Sequence, residues 1–185
     1  MKRLFVAVKI LPNDLLLDSY KMISQTLASD SIKWVNPDNF HLTLKFLGDI
    51  PNKDVANIEV ALQEGLQKIQ SFNMCIKGFG YFGNLRFPRV LWMGVEPSEG
   101  LRQAHAQVNK VLSNWGNSDE HLTFNPHLTL GRIKECRNAD KILKLEARWI
   151  DTIFLQQNIV EIILFESILK PSGPIYKPLN KIHLQ

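Results

Sequence analysis

The segment Phe40-His41-Leu42-Thr43-Leu44-Lys45-Phe46-Leu47 carries a tetrapeptide, His-Leu-Thr-Leu, that returns at His127-Leu128-Thr129-Leu130. Each copy follows a turn containing Asn and Pro: Asn36-Pro37-Asp38-Asn39 before the first, Phe124-Asn125-Pro126 before the second. Each also precedes a stretch with helical apolar spacing. Side chains on a strand alternate between faces, so His41 and Thr43 share one face while Leu42 and Leu44 share the other. The same holds for His127 and Thr129 against Leu128 and Leu130. Each strand then buries a leucine pair in its own lobe and presents an imidazole beside a hydroxyl. A strand motif written once per half implies two similar lobes that can face each other.

Working outward from the two copies, strands and helices alternate. Arg3 to Lys9 reads as a first strand, and Pro12-Asn13-Asp14 opens a helix with Leu15, Leu16, Tyr20, Ile23 and Leu27 along one stripe. A second helix is expected from about Lys53 to Ile69, a third from Glu99 to Trp115 and a short fourth from Ala139 to Arg148. Phe72 to Tyr81 and Arg89 to Val95 read as two strands around a Gly/Pro turn, and the tail, Thr152–Leu155, Val160–Leu169 and Ile182–Leu184, is strand-like. This order is no clean βαβ series. It predicts an α+β fold with helices outside a mostly antiparallel sheet system.

The bulk numbers narrow the function. At 185 residues the chain holds one generous domain, or two small lobes sharing a core. Its 22 basic and 18 acidic residues leave a formal charge of +4, which suits an anionic substrate in a local basic cleft without demanding a long duplex. Cys75 and Cys136 are far apart, against a zinc ribbon or dithiol site and consistent with reduced thiols in the cytoplasm. The basic, briefly apolar N-terminus is too short to span a membrane and lacks a signal-peptide cleavage site, so it is read as a strand.

A single strand histidine is more often structural than catalytic, and threonine is simply a good strand former. Recurrence changes that reading, because packing gives no reason for the same polar pair to appear twice among only five histidines. Two imidazoles and two hydroxyls around one point suit a phosphodiester. With an ordinary pKa of about 6.5, one imidazole can take a proton from the nucleophile while the other gives one to the leaving oxygen. Threonine hydroxyls can donate to the non-bridging oxygens. A third near-copy, His121-Leu122-Thr123-Phe124, competes with the second, but Pro126 before His127 and Leu130-Gly131-Arg132 after Thr129 favour His127.

The ordered set of segments resembles the two-histidine (2H) phosphoesterase superfamily, and within it the RNA 2′,3′-cyclic phosphodiesterase or 2′-5′ RNA ligase family. It comprises Arg3-Leu4-Phe5-Val6-Ala7-Val8, the motif at 40–48, Pro88-Arg89-Val90-Leu91-Trp92, the motif at 126–132, and Ser167-Ile168-Leu169 with Gly173-Pro174-Ile175-Tyr176. The resemblance implies a bilobal, pseudo-twofold α+β domain spanning residues 1–185, its sheets facing each other across a basic cleft. It implies metal- and cofactor-independent hydrolysis of a 2′,3′-cyclic phosphate to a 2′-phosphate, with His41 and His127 as the acid–base pair and Thr43 and Thr129 steadying the phosphate; we assign His41 as acid and His127 as base, an order the sequence itself leaves open. Run backwards, the same chemistry would join a cyclic end to a 5′-hydroxyl. RNA termini or cyclic nucleotides are the expected partners of a monomer that does not engage a membrane.

Phe46 and Arg132 each lie five positions after their histidine, on the opposite face if alternation is strict. A bulge would bring them into the cleft, where ring and guanidinium could sandwich a terminal base. Tyr81, Phe82, Arg86 and Arg89 read instead as solvated loop residues, the four tryptophans as packing residues, and His105 as exposed. Two other functions compete: a non-catalytic RNA-end binder, which has no need of two titrating imidazoles, and a zinc hydrolase using His41, His121 and His127, for which no metal-ligand spacing is present.

Overall fold

In the computed structural model, which describes residues 1–116, 124–171 and 173–185, the elements follow one another as strands and helices in a mixed order. They are β1 (Lys2–Lys9), α1 (Asp14–Thr26), β2 (Ser31–Trp34), a 3₁₀ turn (Pro37–Asn39), β3 (His41–Ile50), α2 (Asn52–Gly65), β4 (Phe72–Asn84), β5 (Phe87–Val95), α3 (Glu99–Val111), β6 (His127–Glu135), α4 (Ala139–Trp149), β7 (Ile153–Ile159), β8 (Glu161–Lys170) and β9 (Gly173–His183). The strands form two sheets, ordered β3-β1-β8-β9 and β2-β6-β5-β4-β7, and every pairing given is antiparallel. The result is α+β and bilobal with a pseudo-twofold relation between the lobes, each sheet carrying one copy of the repeated motif.

The chain builds these lobes by exchange. β2, from the first half, pairs with β6 in the second sheet, while β8 and β9 return to the first. β2 escaped the sequence reading because it is only four residues long and is defined by a partner far along the chain. Two helices stop earlier than apolar spacing suggests. α2 ends at Gly65, where a Cβ would lie 2.2 Å from Val111 Cγ1 and the Gln107 side chain donates to the Gly65 carbonyl. α3 ends at Val111, and the chain turns through Gly116 at φ +80°. Side-chain caps start α1 and α3: Asn13 accepts from the Leu16 amide and Ser98 from the Leu101 amide.

β1 is apolar on both faces for a reason. Leu4, Val6 and Val8 join the main core under the helices, together with Leu42, Leu128, Leu130, Leu91 and Met93. Phe5 and Ala7 point the other way, into a small cluster with Ile163, Phe165 and Tyr176 that walls the cleft. Leu42, Leu44, Leu128 and Leu130 are each almost fully buried. A leucine so placed stabilises the fold by about 1.5–3 kcal/mol, which fixes which face of each motif strand turns outward.

Candidate active site

Both motif strands bulge at the same place. Ala7 pairs with Thr43 but Val6 with Lys45, so Leu44 is an extra residue on β3. Trp92 pairs with Thr129 but Leu91 with Gly131, so Leu130 is extra on β6. An extra residue flips the parity of everything after it. Leu44 and Lys45 are therefore both buried, as are Leu130 and Gly131. Phe46, 39% exposed, and Arg132, exposed, come round to the face of their own histidine. The bulge also drives Lys45 inward to 6% exposure, where its ammonium donates to Asn109 Oδ1 at 3.0 Å.

The two histidines are held alike. His41 Nδ1 lies 2.6 Å from the Asn39 carbonyl, and His127 Nδ1 lies 2.8 Å from the Asn125 carbonyl. A carbonyl only accepts, so in each ring Nδ1 carries the hydrogen and Nε2 is left as the working nitrogen. The 3₁₀ turn presents the first carbonyl, and Asn39 is itself tied to β9 through its amide on the Pro174 carbonyl at 3.0 Å. Rings pack against both imidazoles: Phe5 and Tyr176 at 5.0 and 5.1 Å from His41, Phe82 at 4.8 Å from His127. Neither threonine hydroxyl has a protein partner among the described residues; Thr43 is exposed and Thr129 half-buried.

The electrostatics tie the two sides together. Burial holds the His41 pKa below its ordinary value; the Asn39 carbonyl opposes this, while the charges of Lys9 and of His127 add to it. The two rings are thus near enough to repel when both are protonated. Burial also lowers His127, opposed by the Asn125 carbonyl and assisted by Arg132. Tyr176 is raised by burial, against the pull of Arg132 and Arg3. Arg3 stands 5.0 Å over the Phe46 ring. Arg3, Lys9 and Arg132 therefore surround the imidazoles with positive charge, a setting for an anion.

This geometry can be compared with known proteins. The family described as LigT-like phosphoesterases matches the chain in two stretches, residues 10–92 and 94–176, each containing one motif. The chain belongs to the LigT-like phosphoesterase family. It is 34% identical over 184 residues to the RNA 2′,3′-cyclic phosphodiesterase of Methanothermobacter thermautotrophicus, covering 98% of both chains. It is 38% identical over 152 residues to the protein of that name from Thermotoga maritima, covering 82% of this chain and 79% of the relative. A solved structure from Thermus thermophilus superposes with a TM-score of 0.76 at 29% identity, covering 98% and 97% of the two chains. Escherichia coli LigT, solved with 3′-AMP, shares the fold at a TM-score of 0.79 and 23% identity, covering 100% and 98%.

Within this LigT-like frame, His41, Thr43 and Phe46 share one face of β3, and His127, Thr129 and Arg132 share one face of β6. His121 lies outside the described residues. No cluster of three His, Cys, Asp or Glu residues placed to hold a metal is present among the described residues.

Several cleft residues were not legible. Phe82 is no solvated loop residue: β4 runs on to Asn84, and its pairing with β5 brings Phe82 against His127. Trp92 is more than packing, since it pairs with Thr129 on the motif face. His105 is half-buried, stacked on Phe124 at 3.7 Å between ring centres, and not exposed. No local sequence pattern singles out Tyr176, Arg3 or Lys9. Arg3, Phe5, Ala7 and Lys9 do alternate along one face of β1, but only the pairing with β3 tells which face that is.

Proposed function

We propose that this LigT-like phosphoesterase hydrolyses 2′,3′-cyclic phosphate ends of RNA to 2′-phosphates, with His41 and His127 as its acid–base pair. One observation carries the reading: two imidazoles at equivalent starts of bulged strands each tie Nδ1 to a backbone carbonyl and leave Nε2 free, within reach of each other's charge. The name shared by the curated relatives, RNA 2′,3′-cyclic phosphodiesterase, supports the substrate class.

The chemistry then runs by proton logistics. The cyclic phosphate sits among Arg3, Lys9 and Arg132, its non-bridging oxygens accepting from Thr43 and Thr129. Water attacks phosphorus and gives its proton to His127 Nε2; the P–O3′ bond breaks and O3′ takes a proton from His41 Nε2. The local fields suit this division. Lys9 makes a protonated His41 a stronger acid. In isolation both imidazoles lean neutral; the bound phosphate anion favours the protonated form the acid needs. Phe46 and Arg132 bracket the terminal base. Microscopic reversibility admits the reverse step, a 5′-hydroxyl replacing water to give a 2′-5′ link.

On this reading residues 1–185 act as one domain of two lobes, since a single core cluster runs through both sheets. It works as a cytoplasmic monomer; the free thiols of Cys75 and Cys136 suit a reducing compartment. No helix among the described residues is long and apolar enough to cross a membrane. The test is product analysis of an oligonucleotide ending in a 2′,3′-cyclic phosphate, with EDTA present. A 2′-phosphate is expected; a 3′-phosphate, or loss of activity on chelation restored by zinc, would overturn the proposal.

A further inference from the structure

The surroundings of the two histidines differ in one respect that the hydrolysis does not use. On β1 the residue paired with His41 is Lys9, and the cavity beside that ring holds only about 30 Å³. On β5 the residue paired with His127 is Gly94, and beside it opens a cavity of about 470 Å³. Gly94 is required there, because a Cβ would fall 2.7 Å from the Lys77 carbonyl oxygen. The cavity belongs to the size range of small-molecule sites. It reaches from His127, between Phe82, Trp92 and Phe124, to Lys77, Glu96 and Asp151. Along β6 it lies before His127, on the side away from Arg132.

Its chemistry is selective. Three aromatic side chains line it, the kind of wall against which a base packs. Glu96 and Asp151 share Lys77, at 3.4 and 3.7 Å, which leaves the carboxylates in excess. Such a wall accepts hydrogen bonds from sugar hydroxyls and exocyclic amines but repels phosphate. A ligand that is aromatic, rich in donors and uncharged, with a reactive group at His127, is a nucleoside with a free 5′-hydroxyl.

Resting on the hydrolase reading above, we propose that this cavity is the acceptor subsite of the enzyme, holding the 5′-terminal nucleoside whose hydroxyl takes the place of water. O5′ then attacks phosphorus and its proton passes to His127. The P–O3′ bond breaks, O3′ takes a proton from His41, and the product is a 2′-5′ phosphodiester with a free 3′-hydroxyl. A chain bearing a 5′-phosphate has no nucleophile to offer and is rejected by the carboxylates.

The test supplies the full chain with adenosine 2′,3′-cyclic phosphate and rising cytidine, methanol serving as an acceptor with no base. Transfer to cytidine should saturate and exceed transfer to methanol by about tenfold or more per mole of alcohol, the gain expected from holding the nucleophile in place. Cytidine 5′-phosphate should compete poorly. Ile150 lines the opening and is 62% exposed, so Ile150→Trp can fill the cavity without touching His127. It should abolish the saturable transfer and leave hydrolysis unchanged. Asp151→Lys, at a side chain 88% exposed, is the second variant and should weaken transfer to cytidine while hydrolysis persists. Transfer that stays linear and no better than methanol overturns the subsite, as does a loss of hydrolysis equal to the loss of transfer in both variants. Absence of any hydrolysis by the wild-type chain would remove the hydrolase reading itself, and the subsite with it.

Discussion

At the start of β3 the neighbouring strand sets Lys9 beside His41; at the start of β6 it sets Gly94 beside His127. The motif, the bulge, the carbonyl on Nδ1 and the packed ring are common to both lobes, and the residue opposite the histidine is not. One imidazole is closed in and faces a cation, while the other borders a roomy cavity. Two lobes built to one plan can thus be given unequal jobs by a single partner residue on the adjacent strand. Acid and base need opposite protonation states, so a symmetric pair would be the poorer catalyst.

The largest effects should come from the imidazoles. His41→Ala and His127→Ala should each lower kcat/KM by about 10²–10⁴-fold, and the double variant should cost far less than the product of the two, since the pair acts as a unit. The comparison sharpens with an activated leaving group, such as a nitrophenyl phosphodiester. That substrate needs little proton donation, so it should recover much of the His41→Ala loss and none of the His127→Ala loss. Equal recovery in both variants would contradict the division of roles.

Next come the residues that the bulges turn outward. Stacking on a base is worth about 1–3 kcal/mol, so Phe46→Ala should raise KM by roughly five- to a hundredfold on RNA ends, with kcat nearly unchanged. Arg132→Ala removes both a stacking plane and a cation, and should raise KM at least as far. A substrate lacking a base, ribose 2′,3′-cyclic phosphate, should show no Phe46→Ala penalty.

A subtler test uses pH. A base works only when neutral, so activity falls as pH drops through its pKa. An acid works only when protonated, so activity falls as pH rises through its own. Both imidazoles are held below their ordinary value, which places the kcat/KM optimum on the acid side of where two unperturbed histidines would put it. Lys9→Met removes a cation beside His41, raises its pKa and should move the alkaline limb upward. Arg132→Met does the same for His127 and should move the acid limb upward. Shifts of the opposite limbs would exchange acid and base.

How much of this could be read beforehand follows the same division between local and distant. The motif strands, the face carrying His and Thr, and the alternation of helix and strand are local patterns, and they were legible. The bulges at Leu44 and Leu130 were foreseen only as a condition, because register belongs to a pair of strands. Lys9, Gly94, Phe82 and Tyr176 reach the histidines from strands far away in sequence, so alternation along any one strand is silent about them. The cost of the bulge was hidden too: it buries Lys45 in one lobe and at the matching place in the other requires Gly131.

That last difference yields the smallest prediction. Lys45 and Gly131 both follow the extra leucine and both turn inward, but they meet different neighbours. Lys45 finds the Asn109 side chain, whereas the side chains of the paired strand β2 lie over Gly131 so closely that a Cβ would fall 2.8 Å from Ile32 Cγ2 and 3.1 Å from Trp34 Cε3. Gly131→Ala should therefore cost about 1–3 kcal/mol through overpacking, read as a lowered urea midpoint. Because the neighbours are side chains of an edge strand, β2 can shift outward, and a companion Ile32→Ala change should restore part of the loss. If Gly131→Ala were neutral alone, the close approach of the β2 side chains would not be what holds glycine at this bulge.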